Sequence, residues 1–125
     1  MSVRKILIVD DDPFACDILR KFLVGKGYQA VLTYRSDNAT ALYRQEWPDV
    51  VLLDIRMPGK DGLEVLQEIK AMDPRANVII VTAVRDDAVA KRAKAEGALE
   101  YVKKPINPHI LEQLLRMIDH FVLQR

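Results

Sequence analysis

The sequence predicts an α/β domain in which helices cover both faces of a parallel β-sheet. Five short apolar runs, rich in valine and isoleucine, alternate with segments of helical spacing. Several runs are apolar at consecutive positions, as is typical of strands covered on both faces. The predicted strands are residues 5–9, 30–34, 50–53, 78–81 and 99–102.

Apolar residues at helical spacing predict three strong helices and two weaker ones. The strong stripes lie between residues 15 and 23, 63 and 69, and 111 and 122. The weaker helices, residues 36–45 and 87–96, carry more alanine and charge. Asp12 followed by Pro13 predicts the start of the first helix, and Asn107 followed by Pro108 predicts the start of the last.

Length and composition favour one small domain. The 125 residues have the size of a single unit, residues 1–125, and 50% hydrophobic residues supply a core without disulfides. Cys16 is the single cysteine and falls in an apolar stripe, which predicts a buried thiol in a reducing compartment. A net charge of +1 gives no general attraction for nucleic acid, and no apolar run is long enough for a membrane span or a signal peptide. We expect a cytoplasmic protein that binds neither nucleic acid directly nor membranes.

Polar side chains follow the predicted strands at the edge where ligands bind in open parallel sheets. Asp10 and Asp11 follow the first strand, Asp54 the third, Thr82 the fourth and Lys104 the fifth. If the strand order is 2-1-3-4-5, these side chains converge at one edge.

Three carboxylates at one edge repel each other, and one lysine offsets only part of their charge. Oxygen ligands without nearby cysteine or histidine favour a hard cation, Mg²⁺ before Zn²⁺, with Mn²⁺ as a further option. An ionised carboxylate can also attack phosphorus to form an aspartyl phosphate. Asp54 is the best nucleophile because it stands alone after the central strand, which leaves Asp10 and Asp11 to hold the metal.

The sequence resembles the receiver domain of two-component response regulators, in particular the chemotaxis receivers. The resemblance spans nearly the whole chain, and its five motifs occur in the family's order. They are ILIVDD at residues 6–11, LLDIRMPG at 52–59, DG at 61–62, VTA at 81–83 and YVKKP at 101–105. The resemblance implies a flavodoxin-like fold with the strand order 2-1-3-4-5.

The resemblance also implies roles for the acidic residues. Asp54 would accept a phosphoryl group from a sensor histidine kinase or phosphotransfer protein. Asp11 would bind Mg²⁺ directly, Asp10 through water, and the backbone carbonyl of Arg56 would be a further ligand beside Asp54. Asp12 is predicted to be only the helix cap.

The family's switch residues are matched as well. Thr82 would hydrogen-bond one phosphoryl oxygen, Lys104 would pair with another, and the bond from Lys104 to Pro105 would be cis. Tyr101 matches the aromatic that turns inward when the threonine moves toward the phosphate. From the residues alone, Thr82 could be an ordinary strand residue and Tyr101 could simply cover the core.

We expect partners on two surfaces, one that Thr82 and Tyr101 connect to the site and one that borders the acidic site. Phosphorylation would switch the surface of helix 4, strand 5 and helix 5, which signals to a downstream protein or an effector domain. Phosphorylation could also drive dimer formation. The kinase would dock near Phe14 and Ile18 on helix 1 and at residues 105–106. Arg56 and Val84 occupy positions that influence the lifetime of the phosphate in this family.

Two other functions fit some of the same residues. A Mg²⁺-dependent phosphatase or hydrolase could use Asp54 as its nucleophile, although such an enzyme would still need a substrate pocket. A binding module that is never phosphorylated could retain the fold with an inactive site. A receiver differs from both because it catalyses its own phosphorylation and dephosphorylation while acting mainly as a signalling switch.

Overall fold

A computed structural model describes residues 2–83 and 86–122, and these form a five-stranded sheet with helices on both sides. The strands are β1 (Lys5–Val9), β2 (Gln29–Thr33), β3 (Val50–Leu53), β4 (Val78–Thr82) and β5 (Glu100–Lys103). The helices are α1 (Pro13–Gly25), α2 (Ala39–Glu46), α3 (Gly62–Met72), α4 (Asp87–Ala95) and α5 (Pro108–Met117). A short 3-10 helix (Ser36–Asn38) precedes α2, and a π-helical segment (Ile118–Val122) continues α5.

The sheet is parallel throughout, with the order β2-β1-β3-β4-β5, which confirms the predicted architecture. The chain moves outward from β1 to β2 and then returns to pair β3 with the other side of β1. The order therefore reverses between β1 and β3, and the carboxyl ends of these two strands flank the expected ligand site.

Neighbouring residues of the central strands pack into separate core layers. On β1, Leu7 and Val9 join the layer beneath α2, α3 and α4, whereas Ile6 and Ile8 join the layer beneath α1 and α5. Successive side chains of a strand point to opposite faces, so a strand covered on both sides needs apolar residues at consecutive positions. The consecutive apolar residues of β1 are therefore explained by the burial of both faces of this strand.

Several element limits differ from the predicted ones. Residues 36–38 form the 3-10 helix, so α2 begins at Ala39 and ends at Glu46. Trp47 then adopts a left-handed conformation with a φ of 47° while its amide donates to the Tyr43 carbonyl at 2.8 Å. Pro48 disfavours a right-handed helical conformation at the residue before it, which explains why the helix stops there.

Cys16 is a free, fully buried thiol, as predicted. Within the described ranges, the helices are too short or too polar to cross a membrane.

Candidate functional site

Backbone pairing places Asp10 and Asp54 side by side at the carboxyl edge of the sheet. The Asp10 amide donates to the Thr33 carbonyl at 3.1 Å, and the Asp54 amide donates to the Val9 carbonyl at 2.9 Å. The hydrogen-bond ladder thus continues one residue past β1 and β3, which fixes where both side chains begin. Asp10 and Asp54 are only 3% and 5% exposed, whereas the neighbouring Asp11 is exposed.

The three aspartates converge as predicted. One carboxylate oxygen each from Asp10, Asp11 and Asp54 lies within 4.8 Å of the others. The arrangement brings together oxygen donors from the ends of two adjacent strands, which is the donor chemistry that Mg²⁺ prefers.

Lys104 lies between the two buried carboxylates. Its Nζ is 2.5 Å from Asp10 Oδ2 and 2.9 Å from Asp54 Oδ2. The Lys104 amide donates to the Thr82 carbonyl at 2.8 Å, and the bond from Lys104 to Pro105 is cis, as the resemblance implied. Burial alone would lower the pKa of Lys104, but its hydrogen bonds to Asp10 and Asp54 outweigh burial and raise that pKa above its usual value. The ammonium group is therefore charged at neutral pH.

These four side chains leave an excess of negative charge. Three carboxylates against one ammonium give a formal excess of two negative charges. Close carboxylates repel each other strongly when they are partly removed from water. A divalent cation matches both the charge excess and the oxygen donors, so the residues present fit Mg²⁺.

Arg56 starts the loop that follows Asp54. Its amide donates to Asp54 Oδ1 at 3.1 Å, so the Arg56 backbone lies directly beside the predicted acceptor. Arg56 is exposed to solvent. The role of the Arg56 carbonyl as a metal ligand stays a prediction. Val84, predicted to influence the phosphate lifetime, lies outside the described residues.

Thr82 and Tyr101 lie on one face of neighbouring strands. Tyr101 pairs with Ile80 across β4 and β5, and Thr82 follows Ile80 by two residues, so both side chains belong to the same face. Thr82 is fully buried, and Tyr101 is half-buried against the core layer that includes α4. Burial raises the pKa of Tyr101, and the nearby charge of Asp86 raises it further. This packing fits both an aromatic that covers the core and a switch residue.

Asp12 is the helix cap, as predicted. Its Oδ1 accepts from the amides of Phe14 at 3.0 Å and Ala15 at 3.3 Å at the start of α1. The Asp12 amide in turn donates to Asp10 Oδ1 at 3.0 Å. The cap therefore also fixes one oxygen of Asp10.

The structure adds contacts to the β3–α3 loop, residues 54–61, that the sequence did not predict. Ser36 and Asp37 hydrogen-bond to this loop at Pro58 and Lys60. At the end of the loop, a Cβ on Gly62 would lie 2.4 Å from the Ile55 Cα, so only glycine fits there. In the sequence, these residues appeared only within the motifs LLDIRMPG and DG, which did not indicate the partners of the loop.

The sequence matches a known family and is similar to a known regulatory protein. A family model described as the response regulator receiver domain matches residues 6–116. The transcriptional regulatory protein ZraR of Salmonella typhimurium is 41% identical over 110 residues, which make up 88% of this chain and 25% of that protein. The chain thus spans about a quarter of the length of this relative.

Solved structures show the same fold. A CheY-like response regulator receiver domain protein from Methanospirillum hungatei has a TM-score of 0.87 at 29% identity, with 92% of each chain covered. The CheX-CheY-BeF3-Mg²⁺ complex from Borrelia burgdorferi has a TM-score of 0.84 at 29% identity, with 91% of this chain and 87% of that chain covered. Receiver domains of this family bind Mg²⁺, interact with histidine kinases or phosphotransfer proteins, and act as phosphorylation-dependent switches. The chain belongs to the receiver-domain family of two-component response regulators.

Proposed function

We propose that Asp54 is the phosphoacceptor of this receiver domain. The observation that carries the proposal is the ammonium group of Lys104 bridging Asp10 and Asp54 at the carboxyl edge of the sheet. Both carboxylates have similar contacts: one oxygen accepts a backbone amide two residues later, and the other meets Lys104. Asp54 is assigned as the nucleophile because it follows the central strand and stands within the LLDIRMPG motif.

The proposed transfer is a substitution at phosphorus. An Asp54 oxygen attacks the phosphoryl group of a phosphohistidine, the P–N bond breaks, and the departing nitrogen keeps the bonding electrons and is protonated. Lys104 would hold one phosphoryl oxygen with its ammonium group, and the Thr82 hydroxyl would donate to another. Positioning and charge neutralisation supply most of the catalysis in such transfers.

The acidic residues would hold the cofactor. Carboxylate oxygens of Asp11 and Asp54, together with the Arg56 carbonyl, would bind Mg²⁺ directly, and Asp10 would bind it through water. When bound, Mg²⁺ neutralises negative charge on the acceptor and the phosphoryl oxygens. Mn²⁺ prefers similar oxygen donors and is proposed as a substitute.

The proposed switch runs from the phosphate to the surface of α4, β5 and α5. Thr82 moves toward the phosphoryl group, Tyr101 turns further inward, and phosphorylation shifts the balance between two conformations. The proposed output is binding to a downstream protein or an effector domain, or dimer formation through this surface. Arg56 is exposed beside Asp54 and is proposed to limit the access of water to the phosphate.

A kinase would dock beside the acidic site. Phe14 and Ile18 lie one turn apart on α1 and are 74% and 49% exposed, so this part of α1 offers two neighbouring apolar side chains to a partner. Pro105, next to Lys104, is also exposed. Apolar residues at the rim of a site that receives a phosphoryl group suit a helical partner that presents a phosphohistidine.

The test is the mass of the intact protein after incubation with Mg²⁺ and acetyl phosphate. We expect wild type to gain one phosphoryl group and Asp54→Asn to gain none. Asp17→Asn is the matched control, because Asp17 is a half-exposed carboxylate on α1 that pairs only with Lys21 among the ion pairs of the described residues. Equal labelling of Asp54→Asn and wild type would reject Asp54, and steady turnover of small phosphomonoesters would favour the phosphatase instead.

A further inference from the structure

The turn between β2 and α2 is bound to the loop that carries Arg56. The Ser36 hydroxyl donates to the Pro58 carbonyl at 3.2 Å, and Asp37 Oδ1 accepts from the Lys60 amide at 3.1 Å. Ser36 is only 1% exposed, so the donor of this hydrogen bond is buried. We call these two residues and their contacts to the loop the Ser36–Asp37 latch.

The Ser36–Asp37 latch contacts the loop by close packing as well as by hydrogen bonds. Gly59, between the two bonded positions, has a φ of +95°. A Cβ at this position would lie 3.1 Å from both carboxylate oxygens of Asp37 and 3.2 Å from Ser36 Oγ. The Gly59 backbone therefore lies directly against both latch side chains.

The same loop is anchored at its other end by the acceptor residue. Asp54 Oδ1 accepts the Arg56 amide at 3.1 Å. Gly62 packs against the backbone of Ile55 and Asp54 so closely that any side chain would collide with it. Arg56 and Met57 thus form a short span between two fixed points, Ile55 and Pro58.

The latch is also tied to the other side of the acidic site. The Thr33 carbonyl accepts the Asp10 amide at 3.1 Å, and the Thr33 hydroxyl accepts the Arg35 amide at 3.2 Å. Ser36 and Asp37 follow immediately in the chain. One segment therefore connects the backbone of Asp10 to the loop that begins at Asp54.

We propose that Ser36 and Asp37 are positioning residues that set the Mg²⁺ affinity of the site by fixing the β3–α3 loop. The proposal rests on the proposed function, in which the Arg56 carbonyl is a metal ligand. A carbonyl held in place before the cation arrives loses less freedom on binding than one in a loose loop. The latch touches neither the cation nor the phosphoryl group, so it acts through the position of Arg56.

The experiment compares four variants by calorimetric titration with Mg²⁺ and by the Mg²⁺ dependence of labelling with acetyl phosphate. Asp37→Ala removes the acceptor for the Lys60 amide, and Ser36→Ala removes the donor to Pro58. Asp37→Asn keeps an acceptor oxygen. Arg35→Ala is the matched control, because it removes the exposed ion pair from Arg35 to Asp37 Oδ2 at 3.2 Å and leaves the latch intact.

We expect Asp37→Ala and Ser36→Ala each to raise the Mg²⁺ dissociation constant about two- to tenfold, the scale of one net hydrogen bond. The Mg²⁺ dissociation constants of Asp37→Asn and Arg35→Ala should stay within about twofold of the wild-type value. The labelling rate of Asp37→Ala at saturating Mg²⁺ should return to that of wild type, because the defect lies in cation binding. A residue needed only for stability would not produce this dependence on Mg²⁺.

Several results would overturn the latch. One is a Mg²⁺ affinity of Asp37→Ala equal to that of wild type. Another is a loss of Mg²⁺ affinity in Arg35→Ala as large as the loss in Asp37→Ala. A third is a labelling rate of Asp37→Ala that stays below that of wild type at saturating Mg²⁺. If Asp37→Ala does not fold, Ser36→Ala against Arg35→Ala decides by the same criteria. Failure of the proposed function would be visible in the wild-type protein itself, as no Mg²⁺ binding and no labelling that depends on Asp54, and it would remove the latch as well.

Discussion

The two edges of the sheet use buried or half-buried carboxylates in opposite ways. At the amino edge, Asp49 Oδ2 accepts the amides of Arg4 at 2.8 Å and Lys5 at 3.0 Å, and so joins the start of β3 to the start of β1. At the carboxyl edge, Asp10 and Asp54 meet each other across a single ammonium group, with Asp11 nearby.

The difference lies in what satisfies the negative charge. Asp49 is held by backbone amides, which have a fixed position and are present in every folded molecule. At the other edge, Asp10 Oδ1 and Asp54 Oδ1 each accept one amide from two residues further along the chain, but their Oδ2 atoms share Lys104, and the site keeps an excess charge that Mg²⁺ can neutralise. A carboxylate that accepts amides from a distant part of the chain joins elements of the fold, whereas carboxylates that share too little positive charge form a site for a ligand.

The largest expected effect is that of removing the shared cation. Lys104→Met leaves two nearly buried carboxylates facing each other, so we expect a loss of about 3 kcal/mol in the free energy of unfolding without Mg²⁺. Urea unfolding of both proteins, with a chelator present to remove Mg²⁺, measures this loss. Added Mg²⁺ should restore more stability to this variant than to wild type, because it binds the folded state at a more negative site.

The matched variant at the amino edge is Lys5→Met. Lys5 Nζ lies 3.3 Å from Glu46 Oε1, and both side chains are partly exposed. Its removal should cost less than about 1 kcal/mol and should not respond to Mg²⁺. Equal losses in the two variants would contradict the contrast between the edges.

A smaller effect separates two neighbouring aspartates. Asp11→Asn removes a predicted ligand, so we expect the Mg²⁺ dissociation constant to rise about a hundredfold, at least the cost of a lost outer-shell partner. Asp12→Asn should leave the affinity unchanged, because asparagine caps helices as well as aspartate does. Calorimetric titration of both variants gives the comparison. A similar loss in Asp12→Asn would make Asp12 part of the metal site.

The sequence predicted the carboxyl edge because strand order alone brings its residues together. Asp10, Asp54 and Lys104 each follow a strand, and parallel strands end at the same edge. Asp49 was not predicted, since its partners depend on how the residues before β1 and β3 approach each other. Its contacts needed the structure, whereas those of the carboxyl edge needed only the order of strands.

Loops were predicted less well than strand ends for the same reason. The Ser36–Asp37 latch joins segments more than 20 residues apart through hydrogen bonds between two side chains and the backbone of a loop, which no periodicity records. Trp47 is left-handed although it is not glycine, because Pro48 and the buried Tyr43 constrain the end of α2. Tyr101 was predicted as a switch or as a core residue, and its half-buried position serves either role.

The smallest loss expected at the carboxyl edge tests how closely this edge is packed beneath the acids. Cys16 Sγ donates to the Asp10 carbonyl at 3.3 Å. Burial, and then the charge of Asp10, raises the pKa of the Cys16 thiol from 9.0 to about 12. The folded state therefore binds this proton more tightly than the unfolded state. The contribution of the protonated thiol to the free energy of unfolding is complete below pH 9 and is lost as the pH rises toward 12.

The stability difference between wild type and Cys16→Ala should fall by about 1.4 kcal/mol between pH 8 and pH 10, the equivalent of one pH unit above the ordinary pKa. Urea unfolding of both proteins at these two pH values measures the change, and a constant difference would mean that the thiol titrates in the folded protein as it does in the unfolded chain.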